Sequence, residues 1–271
     1  MNRRHITFSC GSDTLVGSID LAGAKTGLLI VTGGNELRCG PFGSHADLAN
    51  KIATAGFPVL RYDRRGVGDS SGHNATFADS GDDIAAALHA FRAHVPTLRQ
   101  VVAFGNCDAA SALMLAGGAG FDALVLANPW TFEPEPEAEP LAPVTEPEPV
   151  MPPAAIRAHY LRRIFDLSAW KRLFSGKIEV GKLAGSLAAA VMPAPPPSTL
   201  AQQIATCLDE FEGSATILIA ENDRTAQAFM SHWDKADPRL RKCPGAGHSF
   251  VEPKARIWLQ GQILAALRSL G

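Results

Sequence analysis

The sequence predicts an α/β protein built on one doubly wound, mostly parallel sheet. Two observations predict it. Short apolar, β-branched runs alternate with longer stretches of helical spacing, the rhythm of right-handed βαβ units. The runs are apolar without interruption, as strands covered by helices on both faces require; strands with one wet face would alternate. A length of 271 residues accommodates one such domain together with an insertion.

Each element follows in order. "HITFSC" and "TLVGSIDL" read as an opening hairpin. "GLLIVTGG", "FPVLRYD", "QVVAFGN", "DALVLANPW" and "ATILIAEND" read as strands buried on both faces. Between them, "SHADLANKIATAG", "SGDDIAAALHAFRAHV" and "ASALMLAGGAG" carry helical spacing, and "KARIWLQGQILAALRSL" closes the chain as a helix. Ligands of such sheets bind at the carboxyl ends of the strands, so those ends are where chemistry is sought.

One segment breaks the rhythm. From Glu133 to Pro153 the chain holds six glutamates, eight prolines and no basic residue. Proline blocks helix and the charges repel, so an extended loop is expected. Seven Arg or Lys residues follow between Arg157 and Lys182, and Ile156, Tyr160, Ile164 and Leu167 recur at the spacing of an amphipathic helix. A second proline cluster, "MPAPPPS", precedes the helical "STLAQQIATCLDEF". The expected organisation is a core domain of residues 1–130 and 206–271, with residues 131–205 inserted as a lid. A solvated surface insertion without a role is the plainer alternative.

Composition excludes several classes. A net charge of −2 gives no electrostatic basis for binding nucleic acid. Five cysteines (Cys10, Cys39, Cys107, Cys207 and Cys243) are odd in number and widely spaced, with no C-x-x-C pair. Neither a disulfide framework nor a zinc site is expected. The first residues lack an apolar run of signal-peptide length, and no stretch approaches the ~18 apolar residues of a membrane span. These features predict a soluble cytoplasmic protein.

The chemistry centres on "VVAFGNCDAASALMLAG". A strand runs into a helix through Gly105-Asn106-Cys107-Asp108-Ala109, the pattern of a nucleophile elbow, G-x-S-x-G, with cysteine as nucleophile and Ala109 in place of the second glycine. Small residues are needed there because strand and helix pack closely. A helix N-terminus or an imidazolium lowers a thiol pKa below ~8.5, whereas the Asp108 carboxylate, if close to the sulfur, raises it. By itself the turn fits a small buried cysteine equally well.

Two later positions complete a constellation. Asp223 ends a late strand, where a triad acid or a helix cap would sit. His248 lies in the Gly-rich "KCPGAGHSF" before the last helix. The order Cys107, Asp223, His248 is the nucleophile–acid–histidine order of α/β-hydrolases. Asp223 would fix the His248 tautomer, and His248 would take and return the proton. An oxyanion site needs two backbone N–H donors. Asp108 supplies one at the helix N-terminus; Asn35, with Gly34 as the alternative, supplies the other from the "TGG" loop, which is otherwise only a tight turn.

With "GNCDAAS", "RYDRRGVGDSSG" and "GAGHSF" in view, the sequence resembles the α/β-hydrolases along nearly all its length. Tyr62 to Gly72 resembles the superfamily's D-x-R-G-x-G-x-S turn, which shapes a loop behind the nucleophile. More narrowly, "VTGGNELRCGPFGSH", "GNCDAAS", "LANPW", "RAHYLRRIFDLSAWKRLFSGK" and "ENDRTAQAF" resemble the exosortase A system-associated hydrolase 1 family. That family is bacterial and is found beside exosortase, PEP-CTERM sorting and exopolysaccharide genes. The resemblance implies an α/β-hydrolase fold and a cysteine-nucleophile hydrolase of undefined natural substrate. The Glu/Pro tract after Trp130 departs from the family's pattern.

The resulting expectation is an esterase or thioesterase working through a Cys107 acyl-enzyme, with a small-molecule or lipid-like acyl substrate and no cofactor or metal. A thiolate is also a good leaving group, so amide cleavage is disfavoured. Acyl transfer to a hydroxyl other than water is a chemical alternative. A non-catalytic scaffold is the rival of another class. Its basic lid, including Arg162, Arg163, Lys171 and Arg172, would make weak contact with an anionic surface or with the chain's own acidic tract.

Overall fold

The computed structural model describes residues 2–74, 76–118, 120–132 and 198–271. The expected Glu/Pro loop, the amphipathic helix from Ile156 to Leu167 and the basic residues between Arg157 and Lys182 lie outside the described residues.

The opening hairpin pairs β1 (Arg3–Cys10) with β2 (Asp13–Asp20), and Gly11 at φ 59° takes the left-handed turn between them. The buried runs form β3 (Thr26–Val31), β4 (Val59–Tyr62), β5 (Gln100–Asn106), β6 (Ala123–Ala127) and β7 (Ser214–Ala220). A short edge strand, β8 (Leu240–Cys243), follows. Together they make one eight-stranded sheet in the order β1-β2-β4-β3-β5-β6-β7-β8. The β1/β2 and β2/β4 pairs are antiparallel and the other pairs parallel, the doubly wound arrangement expected.

Six helices surround the sheet among the described residues: α1 (Ser44–Thr54), α2 (Gly81–His94), α3 (Asp108–Leu115), α4 (Thr199–Asp209), α5 (Arg224–His232) and α6 (Pro253–Ser269). The twofold side-chain period of β3 explains why Leu28 to Val31 are all apolar. Leu29 and Val31 face a core shared with Phe91 of α2, Leu113 of α3 and Ile204 of α4. Leu28 and Ile30 face the opposite core, with Ile52 of α1 and Ile263 and Leu267 of α6. Each such fully buried Leu or Ile contributes about 1.5–3 kcal/mol by leaving water.

Two features go beyond the expected elements. Helix α5 follows directly on Asp223, with an apolar face (Ala226, Ala228, Phe229) too short for periodicity to register. Helix α4 crosses the 205/206 boundary expected for the lid, and Leu200, Ile204 and Leu208 belong to the core.

Candidate active site

The elbow follows from local sterics. Cys107 stands between β5 and α3 at φ 62°, ψ −127°, a conformation that few residues other than glycine adopt. The surrounding backbone holds it there. Its N–H donates to the Ala127 carbonyl at 2.9 Å, and its own carbonyl accepts from Ala110, Ser111 and Trp130. A methyl on Gly105 would lie 2.7 Å from the Ala109 backbone, so the first glycine of the pattern is obligatory. The Ala109 methyl, in contrast, is accommodated within the core.

The late strand end and the glycine loop meet. His248 Nδ1 donates to Asp223 Oδ2 at 3.0 Å, which leaves Nε2 as the basic nitrogen. Asp223 also caps α5, accepting from the N–H groups of Thr225 at 3.3 Å and Ala226 at 3.0 Å. The cap and the histidine partner, alternatives in the sequence, are one residue with both sets of bonds. These helix bonds hold the carboxylate where His248 finds it.

One residue of the site is not legible as such from the sequence. Asn128, fully buried at φ 44°, follows β6. Its Nδ2 donates to Asn106 Oδ1 at 3.0 Å and to the His248 carbonyl at 3.0 Å, while its Oδ1 accepts from Ala220 N–H at 2.8 Å. Asn106 Nδ2 adds a 3.3 Å bond to the same His248 carbonyl. Asn128 therefore joins the elbow, the histidine loop and the end of the acid's strand. It lies in "LANPW", singled out only through the family resemblance.

The loop after β3 is held from several directions. Gly34 N–H donates to Asp108 Oδ2 at 2.6 Å, and Gly33 passes so close that a methyl there would collide with the same carboxylate. Of the two alternatives for the donor expected from this loop, Gly34 N–H is thus engaged, whereas Asn35 N–H has no partner among the described residues. Arg64 donates to the Gly34 carbonyl. Asp63 accepts from Arg38 N–H at 2.6 Å, and Arg61 donates to the Arg38 carbonyl at 2.6 Å. The D-x-R-G turn, expected to shape a loop behind the nucleophile, holds residues 34 and 38 of the loop that abuts the elbow.

Electrostatics set the resting protonation states. Burial pushes the Cys107 thiol up, and the Asp108 carboxylate pushes it further. Asp223 and Glu36 add to this, and the opposing Asp108 N–H is outweighed. The balance that the sequence left open between the helix N-terminus and the Asp108 carboxylate thus favours a resting thiol. Burial lowers His248, but its bond to Asp223 and the charges of Asp223, Glu36 and Asp108 prevail, so its pKa lies above the ordinary 6.5. Asp108→Asn keeps an oxygen for Gly34 N–H and removes the charge. Alkylation of Cys107 by iodoacetamide at pH 7.5 is expected to speed up about tenfold, equivalent to ~1.4 kcal/mol; an unchanged rate would show that the carboxylate does not govern the thiol.

A cleft beside the elbow, enclosing about 40 Å³, is lined in part by Glu36, His45, Asn106, Ser249 and Val251. Burial and the Arg61 charge hold His45 down at about 4, so it faces the cleft as a neutral imidazole. Among the described residues there is no group of His, Cys, Asp and Glu arranged to hold a metal ion, and no helix long and apolar enough to cross a membrane.

Over residues 39–257 the sequence matches the Alpha/beta hydrolase family, and the chain belongs to that family. No curated protein sequence matches it. Among solved structures, it is similar to the esterase Pf2001 of Pyrococcus furiosus, with a TM-score of 0.61 and 12% identity over 99% of this chain and 92% of that one. Est1E of Butyrivibrio proteoclasticus, solved with ferulic acid bound, gives 0.60 and 14% over 97% and 99% of the two chains. XC6422 of Xanthomonas campestris, described as an α/β serine hydrolase without a lid, gives 0.57 and 15% over 100% and 95%. At these identities the likeness is one of fold.

Proposed function

We propose that the protein hydrolyses an ester or thioester through an acyl-enzyme on Cys107. The observation that carries this reading is the strained elbow at Cys107, joined through Asn106 and Asn128 to the loop of a histidine already paired with a carboxylate. Because the resting group is a thiol, His248 Nε2 acts as general base: it takes the thiol proton as sulfur adds to the acyl carbon, then returns it to the leaving group. Water repeats the cycle on the acyl-enzyme. Asp223 holds the tautomer and faces the imidazolium that forms. The Asp108 and Asn35 amides receive the negative charge on the former carbonyl oxygen. Ester activity accords with the esterases among the structural neighbours. The narrower motif resemblance supports a link to exosortase and exopolysaccharide metabolism, and five free thiols suit the cytoplasm.

The test is turnover of a chain-length series of p-nitrophenyl esters and acyl-thioesters, with mass spectrometry of the protein. Cys107→Ala is expected to lose at least about a thousandfold in kcat/KM, and the wild type to carry an acyl adduct on Cys107. The raised thiol pKa favours a second reading, a non-catalytic binding protein. An inert wild type without adduct would select it. Product analysis with added alcohols or sugars separates hydrolysis from acyl transfer.

A further inference from the structure

Four arginines lie around the loop that follows β3, and three of them have carboxylate partners. Arg38 pairs with Asp63, Arg61 with Asp20 and Arg65 with Asp83. Arg64 is the exception. It is buried, and among the described residues it forms no ion pair and its Nε has no partner. Its hydrogen bond goes to a backbone carbonyl, that of Gly34. A desolvated guanidinium committed to one peptide oxygen is costly for a purely structural contact.

That carbonyl belongs to the same peptide unit as the Asn35 N–H. We infer that Arg64 is a positioning residue for the oxyanion site, orienting and polarising the Gly34–Asn35 peptide so that Asn35 N–H meets the developing charge. The inference rests on the acyl-enzyme reading above. Hydrogen bonding a cation to a peptide oxygen draws electron density from the nitrogen and strengthens the N–H as a donor. The peptide is also fixed from its other side, because the preceding N–H, that of Gly34, donates to Asp108 Oδ2 at 2.6 Å. The loop lies against the elbow: Gly33 abuts Asp108 and Ala109, and Glu36 acts electrostatically on both Cys107 and His248. Asn35 sits between those two contacts, and its amide is the donor left without a partner among the described residues.

Chemistry that forms an oxyanion can be separated from chemistry that does not. When the Cys107 sulfur adds to an ester carbonyl, the π pair moves onto oxygen and the thiol proton passes to His248. When the same sulfur displaces iodide from iodoacetamide, no oxyanion arises at the reacting carbon. The experiment therefore measures both rates, burst acylation by a p-nitrophenyl ester and alkylation by iodoacetamide, in wild type, Arg64→Met and Arg64→Lys.

In Arg64→Met, acylation is expected to fall about 10- to 100-fold, less than the ~10²–10³ cost of deleting a donor outright. Alkylation and KM should stay within about twofold, because neither forms the charge that the polarised N–H stabilises. Arg64→Lys, which keeps a cation near the carbonyl, is expected to recover part of the acylation rate. It serves as the reporting variant if Arg64→Met does not fold. An equal fall in both rates would assign Arg64 to general support of the elbow, and no fall would remove the inference; either overturns it. A wild type that is alkylated but never acylated would instead overturn the acyl-enzyme reading itself, and this inference with it.

Discussion

Replacing His248 by alanine is expected to lower kcat/KM for esters by about a thousandfold or more, within or beyond the usual 10²–10⁴ range of general acid–base catalysis. The expectation lies towards the upper end because the resting nucleophile is a thiol, whose proton the imidazole is placed to take. Glu36, Asp108 and Asp223, the carboxylates that act on the sulfur, all raise its pKa. The pH profile carries the same argument. His248 must be neutral to act as base, and its pKa is raised, so activity should fall on the acid side with a midpoint above 6.5. Asp223→Asn removes the largest of the influences that raise the pKa and leaves the burial that lowers it, with Glu36 and Asp108 still opposing. The acid limb should then move to lower pH while the plateau falls sharply, because the tautomer is no longer held. A wild-type midpoint below 6.5, or an acid limb that does not move in Asp223→Asn, would contradict this account.

Stability runs against activity over the same pH range. A histidine whose folded pKa exceeds its unfolded value stabilises the fold when protonated. That contribution is fully present below about pH 6.5 and is lost as pH rises through the folded value. The form competent as base is therefore the form without that stabilisation.

The second large effect concerns Asn128. Asn128→Ala removes the acceptor for Ala220 N–H and the donor shared by Asn106 Oδ1 and the His248 carbonyl. It also leaves a Cβ at φ 44° without the polar side chain that makes such a backbone tolerable. A loss of about 3–5 kcal/mol in urea unfolding is expected, together with most of the esterase activity, because buried groups lose their partners and the histidine loop loses its tether. Asn128→Gly relieves the backbone and forfeits the same bonds. It should therefore be less damaged by about 1 kcal/mol, with activity equally low. If both variants unfold like wild type, the network is not what holds the site.

The sheet was legible because strands buried on both faces cannot hide their composition: β3 is apolar at every position that meets a core. The meeting of His248 with Asp223 was legible from two strand ends and a glycine loop. Other features depend on distance along the chain. The bond from Gly34 to Asp108 spans 74 residues and that from Asn128 to His248 spans 120, so neither leaves a local pattern. The protonation state of Cys107 depends first on burial, then on Asp108, Asp223 and Glu36, and only the fold supplies the burial and the last two charges. A reading of the elbow alone weighs the helix N-terminus and omits two of those three charges. Asn128 carries no periodicity; its identity matters because one small amide offers both donors and an acceptor in a buried site.

The Ser198 hydroxyl, which caps α4, also donates to the Thr131 carbonyl at 2.7 Å. Two residues 67 positions apart in the chain are therefore held side by side at the start of α4. One hydroxyl thus serves both a helix end and a long-range tie, and Ser198→Ala would release the two together.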